Sequence, residues 1–277
     1  VGKEEDIKEV YEMLVKRGEV KEGYNEIIPE GKMKYIEFGI LKLSKGKTFD
    51  YQEIRKESAL VLLSGQVSFE IDAKTYNTGI RSDPFTKDPW ALYLPRGRKV
   101  KIGAIAESEI AIVKSPSEKE GEEVFIKPED VKKRSGGIWN WRRDIRDIID
   151  CSIPSEKLLI GETINPPGNW SSWPPHKHDE NDYPHEVKME EVYHFRLNPP
   201  GGFALQRIYA DNFNEVHLIE DGDTALIPRG YHPVVTCPGH QLYYLWILGG
   251  ERRKPLMRTD PNFKWQSSLN AVLKEMI

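Results

Sequence analysis

Cysteine is nearly missing from this chain: 277 residues hold only Cys151 and Cys237, and neither sits in CxxC or CxxH spacing. That excludes a disulfide framework and a zinc ribbon. No apolar run approaches the roughly 18 residues that a membrane-spanning helix needs. Basic clusters are missing too. The 40 Lys and Arg face 44 Asp and Glu, for a net charge of −4, whereas binding to nucleic-acid phosphates requires clustered cations. Neither nucleic acid nor membrane is therefore an expected partner. The start, VGKEEDIKEV, lacks the apolar core of a signal peptide, so a cytoplasmic location is expected. Histidine is absent from the first 175 residues. All seven histidines, His176, His178, His185, His194, His217, His232 and His240, fall in under a quarter of the chain. Such clustering points to metal or acid/base chemistry in the second half.

What is present reads as a globular protein of two domains, with 38% hydrophobic and 30% charged residues. Ile7, Val10, Tyr11, Leu14 and Val15 share one helical face before Gly18, which predicts an opening helix. After it the period changes to short apolar or alternating runs (IEFGILKLSKG, ALVLLSGQVSFEI, WALYLPRGRKVKIGAIA) divided by Gly, Pro, Asp and Ser. That is a strand vocabulary and predicts an all-β barrel or sandwich. Residues 115–137 are charged and rich in Pro and Gly, a solvated connection between two halves. Strand-like runs then resume, and NFKWQSSLNAVLKEMI reads as a short amphipathic helix. ALYLPRG (91–97) and TALIPRG (224–230) place the same turn after an apolar strand, which favours a duplicated barrel.

The chemistry concentrates in GNWSSWPPHKHDENDYPHEVKMEEVYHFR and DGDTALIPRGYH. His176 and His178 form an HxH pair, and residues two apart on a strand share a face. Glu191 opens the apolar strand EVYHFR. Gly222, Pro228 and Gly230 shape a turn that leads to His232. Three imidazoles and one carboxylate suit one divalent ion, with zinc as the leading choice and Mn, Fe, Co or Ni as alternatives. Lys177, between the two histidines, is expected to point away from the ion.

HxH, then Glu before an apolar strand, then GxxxxxPxGxH resembles the cupin superfamily. Two departures are visible: twelve residues (Asp179 to Glu190) separate His178 from Glu191, and His232 arrives one residue early. Glu191 is preferred to Glu190 because it stands immediately before the apolar strand. In the same register the first half offers Lys99 and a position near Ser58, with no histidine at all. The resemblance therefore implies two cupin barrels in tandem with a few short helices: residues 1–130 without metal ligands and residues 131–277 binding the metal.

GNWSSWPPHKHD (168–179), EEVYHFRLNPPGGFALQRIY (190–209) and LIPRGYHPVVTCPGHQLYYLWILGG (226–250) resemble more closely the 5-deoxy-glucuronate isomerase family of bacterial inositol catabolism. That resemblance implies an aldose–ketose isomerisation of 5-deoxy-D-glucuronate to 5-dehydro-2-deoxy-D-gluconate. The 4-deoxy-5-hexosulose-uronate ketol-isomerases of pectin breakdown share the fold and reaction type. An iron cupin dioxygenase and a non-catalytic sugar-acid-binding cupin are the competing readings. The implied reaction moves a proton from C2 to C1 through an enediolate, whose charge a divalent ion would offset. A uronate also needs a cation, and Arg207 is the leading candidate. Tyr209 shares its strand face, and Tyr244 and Tyr231 are candidate proton donors. The expected partner is a small sugar acid, and two barrels with exposed edges fit a homo-oligomer.

Overall fold

The computed structural model describes residues 12–274. Every paired strand in it runs antiparallel to its neighbour, in two successive double-sheet barrels. The first barrel joins a six-stranded sheet (Val124–Ile126, Trp90–Leu94, Lys56–Ser64, Ser108–Pro116, Glu37–Leu43, Gly23–Ile28) to a four-stranded one (Thr48–Gln52, Lys99–Ala104, Val67–Ile71, Lys74–Asn77). The second joins a seven-stranded sheet, centred on Glu190–Asn198, Gln241–Gly249 and Leu158–Asn165, to a four-stranded sheet that contains Ala204–Ala210 and Val234–Thr236. Among the described residues a single α-helix, Lys264–Lys274, follows a 3-10 turn at the expected place.

The apolar runs are continuous because the central strands are buried on both faces. In Lys56–Ser64, Leu60 and Leu62 fill the first barrel with Leu41, Phe69 and Ile102. Ala59, Val61 and Leu63 point the other way, into a core shared with the second barrel's Ile160, Val192, Leu245 and Ile247. The barrels therefore stand back to back on their larger sheets. Two buried acids lock the seam. Glu162 accepts from Arg81 Nη2 at 2.7 and 2.8 Å, Tyr243 Oη at 2.8 Å and Arg146 Nη1 at 3.0 Å. Glu57, in the first barrel, accepts the main-chain N–H groups of Glu156 and Lys157 at 2.6 and 2.8 Å.

Two sequence expectations change. The opening helix lies partly outside the described residues, but Leu14 and Val15 form a strand against Ala225 and Thr224, so this early segment joins the second barrel. Tertiary pairing overrides helical spacing here: Leu14 packs on the second barrel's interior and Val15 on the shared core. The 115–137 connection is also more structured than its composition predicts. Val124–Ile126 pairs with Trp90–Leu94, and Lys132–Gly136 forms the edge of the seven-stranded sheet. Its charges mark an exposed edge strand rather than a lack of structure.

Arg81 and Glu162 both have no solvent exposure. Glu162→Gln leaves the guanidinium uncompensated and is expected to lower unfolding free energy by about 3–5 kcal/mol. Denaturant titration checks this, and a loss below about 1 kcal/mol would show that the seam does not depend on the pair.

Candidate metal centre

His176 and Lys177 form a two-residue strand against Thr259 and Arg258. Strand alternation sends Lys177 away from its neighbours, onto Asp179 and, at 3.0 Å, Glu186. Fully buried Glu186 also accepts from the N–H groups of Asp179 (2.8 Å) and Glu180 (2.9 Å) and from Arg258 Nε (2.8 Å). The long spacer is thus pinned beside the histidine pair. Asp179 Oδ2 in turn accepts from Gly230 N at 2.7 Å. Gly230 adopts φ +91, a left-handed conformation suited to glycine, and directs the chain into His232.

The two adjacent glutamates part here. Glu190 turns to the first barrel and accepts the N–H groups of Lys34 at 3.0 Å and Tyr35 at 2.5 Å. Glu191 turns into the second barrel, where its Oε2 lies 3.1 Å from His178 Nε2 and 3.0 Å from His232 Nε2. Donor atoms of His178, Glu191 and His232 all fall within 4.8 Å of one another, and all three residues are buried. His176 flanks this trio, its ring centroid 4.9 Å from that of His232 and 6.3 Å from that of His178.

Each imidazole has its Nδ1 against a main-chain carbonyl: Pro174 at 3.3 Å for His176, Met189 at 2.8 Å for His178 and Gly230 at 2.9 Å for His232. Donation from Nδ1 fixes the tautomer and leaves every Nε2 lone pair to the interior. His232 Nε2 is buried without a hydrogen-bond partner, its approach to Glu191 being misaligned for one. An orphaned nitrogen in a set of three imidazoles and one carboxylate fits a divalent ion. The electrostatics agree. Burial pushes the Glu191 carboxyl up, but the adjacent His178 and His232 imidazoles outweigh it and hold the pKa at about 2. Burial, aided by His232 and His178, pushes the His176 imidazole well below its usual range and keeps it neutral.

A cavity of about 480 Å³ opens on His176 and Glu191, walled by Arg143, Tyr193, Tyr244 and Trp246. The two tyrosine rings lie 4.5 Å apart. Tyr193 Oη is 2.7 Å from Ser172 Oγ, and Tyr244 Oη bonds Ser171 Oγ. Consecutive residues of a strand face opposite ways, yet both serines turn inward because Ser172 adopts φ +50. Burial raises both phenols above their usual pKa, well above it for Tyr193, so both are proton donors.

Tyr244 thus stands in the cavity, but Arg207 and Tyr209 do not. Ala204, Gln206 and Ile208 take the inward positions of Ala204–Ala210, which turns Arg207 and Tyr209 outward by strand parity. Arg207 donates to Asn214 Oδ1 at 2.9 Å and lies 3.8 Å over the Tyr209 ring, and Tyr209 Oη donates to Asp260 Oδ2 at 2.6 Å. Tyr231 stacks on Tyr209 outside the cavity. Tyr193, Arg143, Ser172 and Gln206 went unnoticed in the sequence. Gln206 donates to the carbonyl of His232 at 2.6 Å and braces that turn. Tyr193 was findable, since it lies two residues beyond Glu191 on the same strand face. Nothing in the sequence marked Arg143 or the left-handed Ser172.

Two tandem barrels, one filled with apolar side chains and the other gathering imidazoles around a carboxylate, define a bicupin with one candidate metal centre among the described residues. The chain belongs to the KduI/IolB family, which matches residues 13–266. It is 36% identical over 245 residues to a 5-deoxy-glucuronate isomerase of Geobacillus thermodenitrificans, covering 87% of this chain and 89% of that one. The 5-deoxy-glucuronate isomerase of Bacillus subtilis strain 168 is 34% identical, with 83% and 87% covered. Among solved structures, an IolB-like protein from Salmonella typhimurium LT2 superposes with a TM-score of 0.88 at 31% identity, over 92% of this chain and 99% of that one. Lactobacillus farciminis oxalate decarboxylase superposes at 0.64 with 12% identity, over 90% and 87%, a likeness of fold alone.

His232→Ala is expected to weaken divalent-metal binding by more than the roughly 10–100-fold that follows loss of an outer-shell partner, while Glu190→Gln leaves metal content unchanged. Equilibrium dialysis with elemental analysis checks both. In the metal-free protein, the depressed Glu191 contributes stability that is full above the ordinary carboxylate value of 4.5 and is lost as pH falls toward about 2. Acid-unfolding curves of Glu191→Gln should lack that component, and a curve matching the parent would contradict the assignment.

Proposed function

We propose that this chain is a metal-dependent aldose–ketose isomerase that converts 5-deoxy-D-glucuronate to 5-dehydro-2-deoxy-D-gluconate in inositol catabolism. The observation that carries the reading is the cavity itself, where the Nε2 faces of an imidazole set meet two buried, protonated phenols. Zinc is the proposed ion, held by His176, His178, Glu191 and His232. When bound it would supply positive charge that offsets the negative charge developing on the substrate. The protein supplies the rest. Tyr193 and Tyr244 donate hydrogen bonds to oxygens on which charge develops as the C2 proton leaves, and Ser172 and Ser171 orient their hydroxyls. With Nδ1 bonded to the Pro174 carbonyl and Nε2 given to the ion, His176 has no nitrogen left for the proton, so a water in the cavity is proposed to carry it from C2 to C1. The family and the relatives' names support the substrate; the apolar walls formed by Leu159, Trp246 and Leu248 support a deoxygenated sugar chain. Free Cys151 and Cys237 fit a reducing, cytoplasmic setting.

An NMR assay of the zinc-loaded protein with 5-deoxy-D-glucuronate in deuterated water tests this reading. The ketose is expected to accumulate with deuterium at C1 and without oxygen uptake. Turnover without deuterium would replace proton transfer by a hydride shift, and no turnover would sink the substrate assignment. Tyr193→Phe is expected to lower kcat by roughly 100-fold, as for loss of one preorganised oxyanion donor, with metal content intact.

A further inference from the structure

Taking the isomerase reading for the identity of the ligand, we infer that Arg143 is the carboxylate anchor of this cavity and gives the site its preference for sugar acids over neutral sugars. Arg143 opens the strand Arg143–Ile149 and lines the same cavity as His176, Glu191, Tyr193 and Tyr244. The shared cavity sets the guanidinium among the groups that face the substrate.

Three arginines close to it in sequence are neutralised. Arg134 forks onto Asp147, Arg142 pairs with Asp144, and Arg146 bridges Asp88 and Glu162. Arg143 has no salt bridge among the described residues. Only its Nη1 is engaged, donating to the carbonyls of Trp141 at 3.3 Å and Trp173 at 2.9 Å. Those bonds hold the group in place without cancelling its charge. Nε and Nη2, the two donors of a side-on fork, keep no protein acceptor among the described residues, and a planar carboxylate matches that pair. Burial works against the guanidinium charge, so an arriving anion restores what the protein leaves unpaired.

The neighbouring strand makes room for this arrangement. Gly136 pairs with Arg143 across the sheet edge. A Cβ at Gly136 would come within 3.2 Å of Arg143 Cζ and 3.3 Å of Nε, so the guanidinium rests over the bare glycine backbone. A six-carbon acid would then be held at both ends, by its carbonyl and hydroxyl oxygens at the histidine cluster and by its carboxylate at Arg143.

Calorimetric titration of the zinc-loaded protein with 5-deoxy-D-glucuronate, D-glucuronate and neutral 5-deoxy-D-glucose provides the test. Arg143→Met is expected to weaken both uronates on the order of 100-fold, with binding of the neutral sugar and zinc content unchanged. Arg143→Lys keeps the charge without the fork and should fall between the two. Gly136→Val, which crowds the guanidinium from outside the cavity, should weaken uronates alone and serves if Arg143→Met does not fold. Unchanged uronate affinity in Arg143→Met, or an equal loss for acid and neutral sugar, overturns the inference. If the parent protein fails to turn over 5-deoxy-D-glucuronate yet prefers D-glucuronate through Arg143, the isomerase reading falls and the anchor stands.

Discussion

Successive side chains of a strand point to opposite faces, and in this molecule the central strands have no solvent face to spare. Glu190–Asn198 shows the consequence. Val192 enters the core shared by the two barrels, and His194 packs 5.1 Å from Phe38 of the first barrel. Tyr193, Phe195 and Leu197 fill the second barrel's interior. Glu191 is bound to that second set, and Glu190 to the first. A slip of one residue would expel the whole set together. The apolar seam therefore fixes the register, and the register decides which of two adjacent carboxylates meets the imidazoles.

The first barrel contributes to the site without containing one. Its interior is closed by Leu41, Leu60, Leu62, Phe69 and Ile102, which leaves no room for a polar ligand set. Ser58, at the place corresponding to the second barrel's glutamate, is satisfied by Tyr51 Oη at 2.8 Å, and Lys99 points to solvent. What this barrel offers is its outer face. Ala59, Val61 and Val113 provide the apolar surface against which Ile160, Leu245 and Ile247 are held. Arg81 pairs with Glu162 and Glu57 accepts main-chain N–H groups across the seam, and such buried polar contacts fix the relative placement of the halves more than they add to stability.

The legible part of the sequence was what short-range periodicity governs. HxH spacing, a carboxylate before an apolar run and a glycine-proline turn specify which residues share a face, and the structure gathers His178, Glu191 and His232 accordingly. Strand parity also placed Lys177 away from the imidazoles. It could not place Arg207, because the anchor of that parity, the inward Ala204 and Ile208, is visible only once the sheets are stacked. Arg143 was hidden for another reason. It enters from a strand beside the apparent connection, 33 residues before His176, and only the sheet order brings it to the cavity. Ser172 breaks alternation through one left-handed residue without glycine, so no residue pattern could announce it.

The backbone orients the imidazoles. Each Nδ1 faces the carbonyl of a residue in a constrained segment, and Gln206 braces the His232 turn from below. Donors set in this way need little rearrangement to accept a cation, so binding energy is not spent on ordering side chains. The same rigidity has a cost before binding, because a buried carboxylate and an unpartnered nitrogen stand where apolar groups would pack without penalty. The filled first barrel and the locked seam offset that cost at a distance. A duplicated fold with a polar ligand set in both interiors would have carried it twice. With the first interior closed by hydrocarbon, the polar lumen is confined to the one barrel that uses it.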